Sequence, residues 1–152
     1  MASVGFGVIG LGRIGGFHAD SLQHAISGAH LVAAAVDADH RRALLEFGSA
    51  PCTLEPDVTS LLARSDVEAI VVASSAVAHH EHIALAAAAG KPIFSEKPLA
   101  DSVPKAESAA QAVITAGVPF QIGFQRRYDR GYARARELIA AAPMCRSPSS
   151  SR

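Results

Sequence analysis

A chain of 152 residues, 49% hydrophobic and 18% charged, is long enough to bury one domain core and too apolar to be disordered over most of its length. Fourteen Lys/Arg balance fourteen Asp/Glu, so no net charge draws it toward nucleic acid. Its apolar runs are strand-sized or broken by His and Glu, which excludes a membrane span. No basic region precedes an apolar stretch at the N-terminus, so no secretory signal is read. Cys52 and Cys145 have neither metal-ligand spacing nor the look of a disulfide framework, and the chain reads as cytoplasmic.

The chain opens on Val4-Gly5-Phe6-Gly7-Val8-Ile9, a predicted buried strand. Gly10-Leu11-Gly12-Arg13-Ile14-Gly15 follows at once, and 13–26 reads as a helix. Strand, G-x-G-x-x-G turn and helix start are the parts of a dinucleotide-binding unit. Gly10 permits the tight turn, Gly12 lets backbone approach a pyrophosphate, and Gly15 lets the helix pack close. The anion then sits on the N–H groups of the helix start, at Arg13 and Ile14. A second apolar run, His30 to Val36, ends at Asp37, 22 residues after Gly15. A carboxylate at that strand end accepts hydrogen bonds from the ribose hydroxyls of NAD and repels a 2′-phosphate. Arg41 and Arg42 follow closely, and an Arg there holds the 2′-phosphate of NADP or lies on a solvated helix face. NAD is the expected cofactor, with NADP as the alternative.

Further along, the pattern predicts a helix at 39–47 and a short strand near Cys52-Thr53. A helix then opens at Glu55-Pro56-Asp57 and runs to about Arg64. Strand 67–73, an alanine-rich helix at 77–89 closing at Gly90, and strand 92–95 come next. Helix 103–116 closes at Gly117, and strand 119–123 is the last. Six strands alternating with helices predict an α/β, doubly wound parallel sheet of order 3-2-1-4-5-6, the Rossmann fold. Residues 1–124 form the expected dinucleotide-binding domain, and 125–141 a crossover segment and helix leading out of it. Residues 142–152, a Ser/Pro/Arg tail without periodicity, read as disordered.

His79-His80-Glu81-His82 lacks the H-E-x-x-H spacing of a zinc helix and has no third ligand nearby, so no metal is expected; His80 and His82 read as solvated helix residues. His18, His24 and His40 carry no signal of a special role. Residues 126–152 hold seven Arg against only Asp129 and Glu137, yet they show no aromatic platforms beyond Tyr128 and Tyr132 and no nucleic-acid-binding module.

Two later motifs sharpen the reading. Glu96-Lys97-Pro98 follows the fifth strand, and Gly123-Phe124-Gln125-Arg126-Arg127-Tyr128-Asp129 follows the sixth, both at the strand ends where open α/β sheets bind ligands. With Gly10-x-Gly-x-x-Gly15, Asp37 and Ser74-Ser75 plus His79, they make the chain resemble the Gfo/Idh/MocA oxidoreductases, in register to about residue 140. The Arg-Arg-Tyr-Asp segment looks most like the inositol 2-dehydrogenases. The resemblance implies hydride transfer between a secondary hydroxyl of a polyol or sugar, myo-inositol among them, and NAD. It implies that Lys97 hydrogen-bonds the reacting hydroxyl, where a cation favours a developing alkoxide, and that Glu96 and Pro98 shape its loop. It further implies that Ser74 and His79 border the nicotinamide. Arg126 or Arg127 would contact substrate or cofactor, with the other in a structural ion pair.

The chain departs from the family where the pattern stops. Relatives continue into a second α/β domain that carries an Asp-x-x-x-His acid/base pair, most of the substrate pocket and a homo-oligomer interface. No Asp-x-x-x-His with that placement occurs here. The expectation is a truncated chain, or one read out of frame over its last residues, that keeps cofactor affinity and loses normal catalysis. A non-catalytic dinucleotide-binding module or sensor is the alternative, and a poorly folding remnant a third.

Overall fold

A computed structural model describes residues 3–36 and 52–141. Among them, β1 (Val4–Ile9), β2 (Ala29–Ala35), β3 (Thr53–Glu55), β4 (Ala69–Val72), β5 (Ile93–Glu96) and β6 (Phe120–Gly123) form one sheet of order β3-β2-β1-β4-β5-β6. Every pairing is parallel, with one register irregularity between Phe6 and Gly7. Helices α1 (Arg13–His24), α2 (Val58–Ala63), α3 (Ala76–Ala88) and α4 (Val103–Ala116) supply the crossovers after β1, β3, β4 and β5, and α5 (Arg130–Ala141) follows a 3-10 turn at Gln125–Arg127. The doubly wound fold and its strand order match the sequence expectation. The predicted helix at 39–47 and the tail at 142–152 lie outside the described residues.

Side chains alternate across each strand, and that period of two divides the core. Val8 of β1 and Val71 of β4 face α1, packing with Ala19, Leu22 and Ala34. Their neighbours Ile9, Ile70 and Val72 face the opposite layer, with Leu61 of α2, Ile83 and Ala86 of α3, and Val113 of α4. Residues hydrophobic on both faces are the mark of a parallel sheet covered on both sides, which is why β4 reads as an unbroken apolar run. Helix α5 contributes no buried residue. No described helix is long and apolar enough to cross a membrane.

Boundaries shift for local chemical reasons. Helix α2 starts at Val58 because the Asp57 carboxylate accepts the Ser60 N–H at 2.7 Å and caps it. Glu55 instead closes β3 and pairs with Arg64, whose guanidinium also holds Asp66. Lys91 donates to the carbonyls of Arg64 and Val67, tying the α2–β4 connection to the start of β5. Helix α4 ends as expected, on Gly117 in the left-handed region.

Ile70 is fully buried on the central strand β4. Ile70→Ala is expected to cost about 2–5 kcal/mol, and Ile70→Val about 1 kcal/mol, by urea unfolding followed by circular dichroism. Three exposed carboxyls sit below their usual range: Asp57 through the Ser60 N–H, Asp66 through Arg64 and Asp101 through Lys105. A depressed folded pKa gives stabilisation that is complete above the unfolded value and lost as pH falls through the folded one. The urea midpoint is therefore expected to drop below about pH 4. Asp57→Ala should flatten that drop, and an unchanged acid limb would contradict the cap.

Candidate functional site

The carboxyl ends of β1, β2, β4, β5 and β6 open on one edge of the sheet, where the strand order reverses between β1 and β4. Two clefts lie side by side there. One, of about 590 Å³, is lined by Ile9 to Gly12, Ala35 and Val36 at the end of β2, Ser74, Ser75, and Ala78 and His82 on α3. The other, of about 790 Å³, is bordered by Arg13, Ile14 and His18 on α1, by Glu96, Lys97 and Pro98 after β5, and by Gly123 to Gln125 and Tyr128. They share Gly12, Ala73 and Ser74, so the glycine turn is the ridge between them.

Each glycine of the turn meets a distinct constraint. Gly10 has φ of 89°, a left-handed conformation costly for any side chain, and its N–H donates to the Ala35 carbonyl at 2.8 Å. A Cβ on Gly15 would overlap the Gly10 carbonyl oxygen. A Cβ on Gly12 would meet no atom within 4 Å, because Gly12 faces the open clefts. The first turn of α1 has no acidic side chain and no side-chain cap. Its N–H groups at Arg13 and Ile14 are therefore left to an anion lying over Gly12. The arrangement fits a dinucleotide laid across the ridge, pyrophosphate at the helix start and one nucleoside in each cleft.

The histidines depart from the sequence reading. His79 is buried. Its Nδ1 lies 2.6 Å from the Pro98 carbonyl and its Nε2 2.9 Å from the Ser74 carbonyl. Both partners are acceptors, so a neutral ring donates to one of them, and each nitrogen is screened by a carbonyl. It borders the second cleft as a bracket between two strand ends. His82, expected to be solvated, is half-buried with Nδ1 2.8 Å from Ser74 Oγ. Burial holds its pKa below the ordinary imidazole value, against the opposing pull of Glu81. His80, also expected to be solvated, is likewise half-buried, with Nδ1 on the Val77 carbonyl. Among the described residues no group of three or more His, Cys, Asp or Glu is placed to hold a metal ion.

His18, given no role by the sequence, reaches across from α1 to Glu96: its Nε2 lies 3.0 Å from Oε1. Helix spacing carries the signal that was missed, because His18 stands four residues after Ile14 and shares the face toward the cleft. His82 likewise stands four residues after Ala78. Lys97 is exposed on the cleft rim, in a loop that contains a cis Lys97–Pro98 bond. Arg126 and Arg127 do not line the cleft: they stack over the rings of Tyr132 and Phe124, at 5.1 and 5.5 Å. The expected ion pair does not form among the described residues, because Glu137 pairs with Arg134 and Asp129 accepts the Tyr132 N–H. Asp37, Arg41 and Arg42 lie outside the described residues. The Cys52 thiol is pushed up to about 11 by burial, partly offset by Arg64, and so is not a reactive nucleophile.

Comparison with known proteins agrees with this geometry. Residues 4–124 match the family model described as oxidoreductase family, NAD-binding Rossmann fold. Inositol 2-dehydrogenase 3 of Saccharopolyspora erythraea is 38% identical over 140 residues, which cover 91% of this chain and 41% of that protein. Among solved structures, the myo-inositol dehydrogenase of Lactobacillus casei in complex with NAD(H) and myo-inositol superposes with a TM-score of 0.77 at 36% identity, covering 91% of this chain and 41% of its own. The scyllo-inositol dehydrogenase of the same organism, with bound NAD(H) and scyllo-inositol, gives 0.76 at 33%, with the same coverage. This chain thus spans about two fifths of the relatives it matches. It belongs to the Gfo/Idh/MocA oxidoreductase family and carries that family's NAD-binding Rossmann domain.

Proposed function

We propose that this chain is the cofactor-binding part of an NAD-dependent polyol dehydrogenase of the inositol type, acting on a secondary hydroxyl of a cyclic polyol or sugar such as myo-inositol. The observation that carries the reading is the pair of clefts meeting over Gly12, with Lys97 on the rim of one of them. NAD⁺, when bound, supplies the hydride acceptor. The chain's own residues do the rest of what this half contributes. The N–H groups of Arg13 and Ile14 hold the pyrophosphate, and Ser74 and Pro98 shape the wall where the nicotinamide lies. Asp37 accepts from the ribose hydroxyls, which favours NAD over NADP. Lys97 donates to the substrate oxygen and stabilises negative charge on it as the hydroxyl proton departs. Glu96 shapes the loop that aims it, and Arg126 or Arg127 meets the polyol after leaving its aromatic ring.

Among the described residues, His79, which the family resemblance sets beside the nicotinamide, has both ring nitrogens against carbonyls and is poorly placed to take the hydroxyl proton. The Asp20 and His24 pair on α1 has the Asp-x-x-x-His spacing but is exposed and lies outside both clefts. We therefore propose cofactor binding with little turnover for the 152-residue chain assayed alone. A role as a non-catalytic dinucleotide module rests on the same observation.

Calorimetric titration tests the reading. NAD⁺ is expected to bind more tightly than NADP⁺, and a folded chain that binds neither overturns it. Gly12→Ala separates binding from folding. Its Cβ has room in the fold but occupies the pyrophosphate's place. The thermal midpoint should hold while NAD⁺ affinity falls by about tenfold or more. Gly15→Ala, by contrast, should lower both.

A further inference from the structure

We propose that His18 is a positioning residue for the loop that carries Lys97: its imidazole holds the Glu96 carboxylate, and that carboxylate holds the backbone N–H of Lys97. The inference rests on the reading of Lys97 given under the proposed function, and it assigns the part of the machinery that aims it.

The contact is built from three elements. His18 Nε2 on α1 meets Glu96 Oε1 at 3.0 Å, with the two side chains only 21% and 16% exposed. The second carboxylate oxygen accepts the Lys97 N–H at 3.3 Å. The imidazole stands edge-on to Phe94 of β5, ring centres 5.4 Å apart, and to Phe17 at 6.3 Å. On β6, a Cβ at Gly123 would come within 2.9 Å of the Phe94 ring and 3.3 Å of Glu96 Oε1, so the glycine leaves the space that the carboxylate occupies.

An ordinary surface ion pair contributes little, because water screens it and two long side chains must be immobilised. This pair differs in both respects. It is largely shielded, and packing against aromatic rings already restrains the imidazole. The far end of the same loop is held by a second imidazole, since His79 Nδ1 lies 2.6 Å from the Pro98 carbonyl. Lys97 thus stands between two anchored residues, with its side chain exposed. Because α1 also carries the pyrophosphate-binding turn at its start, one helix sets the position of both the cofactor and the cation beside it. Holding two reacting groups at a fixed separation is where positioning contributes to rate.

The test uses the three lysines of the chain, Lys91, Lys97 and Lys105. Selective ¹⁵N-lysine labelling gives one backbone amide peak for each, and Lys97→Arg assigns the one of interest. His18→Leu is expected to move the Lys97 peak and leave those of Lys91 and Lys105 in place. His18→Gln, whose side-chain N–H reaches the same carboxylate, should return it. Glu96→Gln should move the peak by itself, and adding His18→Leu to that variant should move it no further. NADH affinity, read by fluorescence, should fall about fivefold in His18→Leu and less than about twofold in His18→Gln. A Lys97 peak that stays in place in His18→Leu, or three peaks that move together, overturns the proposal. So does a Gln variant that behaves as the Leu variant does. Should the unaltered chain bind no NADH, the dehydrogenase reading fails while the amide peaks still decide the role of His18.

Discussion

The close approach of α1 to the turn that precedes it is the constraint on which the rest of the molecule depends. There is no space for a side chain between Gly15 and the Gly10 carbonyl. The helix therefore starts directly over the end of β1, with its unpartnered N–H groups aimed across the sheet edge. Gly10 makes the approach possible by adopting a left-handed conformation. From that placement follow the ridge at Gly12, the division of the crevice into two clefts, and the reach of His18 to Glu96.

The crevice is organised by imidazoles that hold structure. His79 ties the end of β4 to the Pro98 carbonyl, His82 meets the Ser74 hydroxyl, and His18 meets the Glu96 carboxylate. Backbone carbonyls and hydroxyls at strand ends have no ladder partner, so something must satisfy them where the sheet stops. Histidine is suited to the task because its two nitrogens point in different directions from a rigid ring. The consequence for chemistry is a division of labour: each imidazole has at least one ring nitrogen engaged, and the side chain of Lys97 is left exposed on the rim.

Much of the fold was legible because its signals are local. Periods of two and 3.6, glycine stops at Gly90 and Gly117, and the glycine turn after an apolar strand all act within a few residues of one another. The strand order was legible for a different reason: short parallel connections of one handedness leave few ways to stack six strands. The errors came from side-chain contacts that the local pattern does not specify. Glu55 was read as helix start, yet it is drawn to Arg64 nine residues on. His18 was given no role and His82 was read as solvated, and Arg126 and Arg127 lie over aromatic rings where an ion pair was expected of one of them.

The sequence by itself determined the architecture, the place of the cofactor turn and the strand ends at which Ser74, Glu96, Lys97 and Pro98 stand. These rest on residue spacing and on backbone geometry that each short segment imposes on its own. Only the tertiary structure decided which nitrogens and carboxylates are committed to one another. The His18–Glu96 contact joins residues 78 positions apart, and His79 reaches Pro98 across 19. Such pairings depend on where the fold brings helix side chains to within about 3 Å of a strand end distant in sequence, a placement no local pattern encodes.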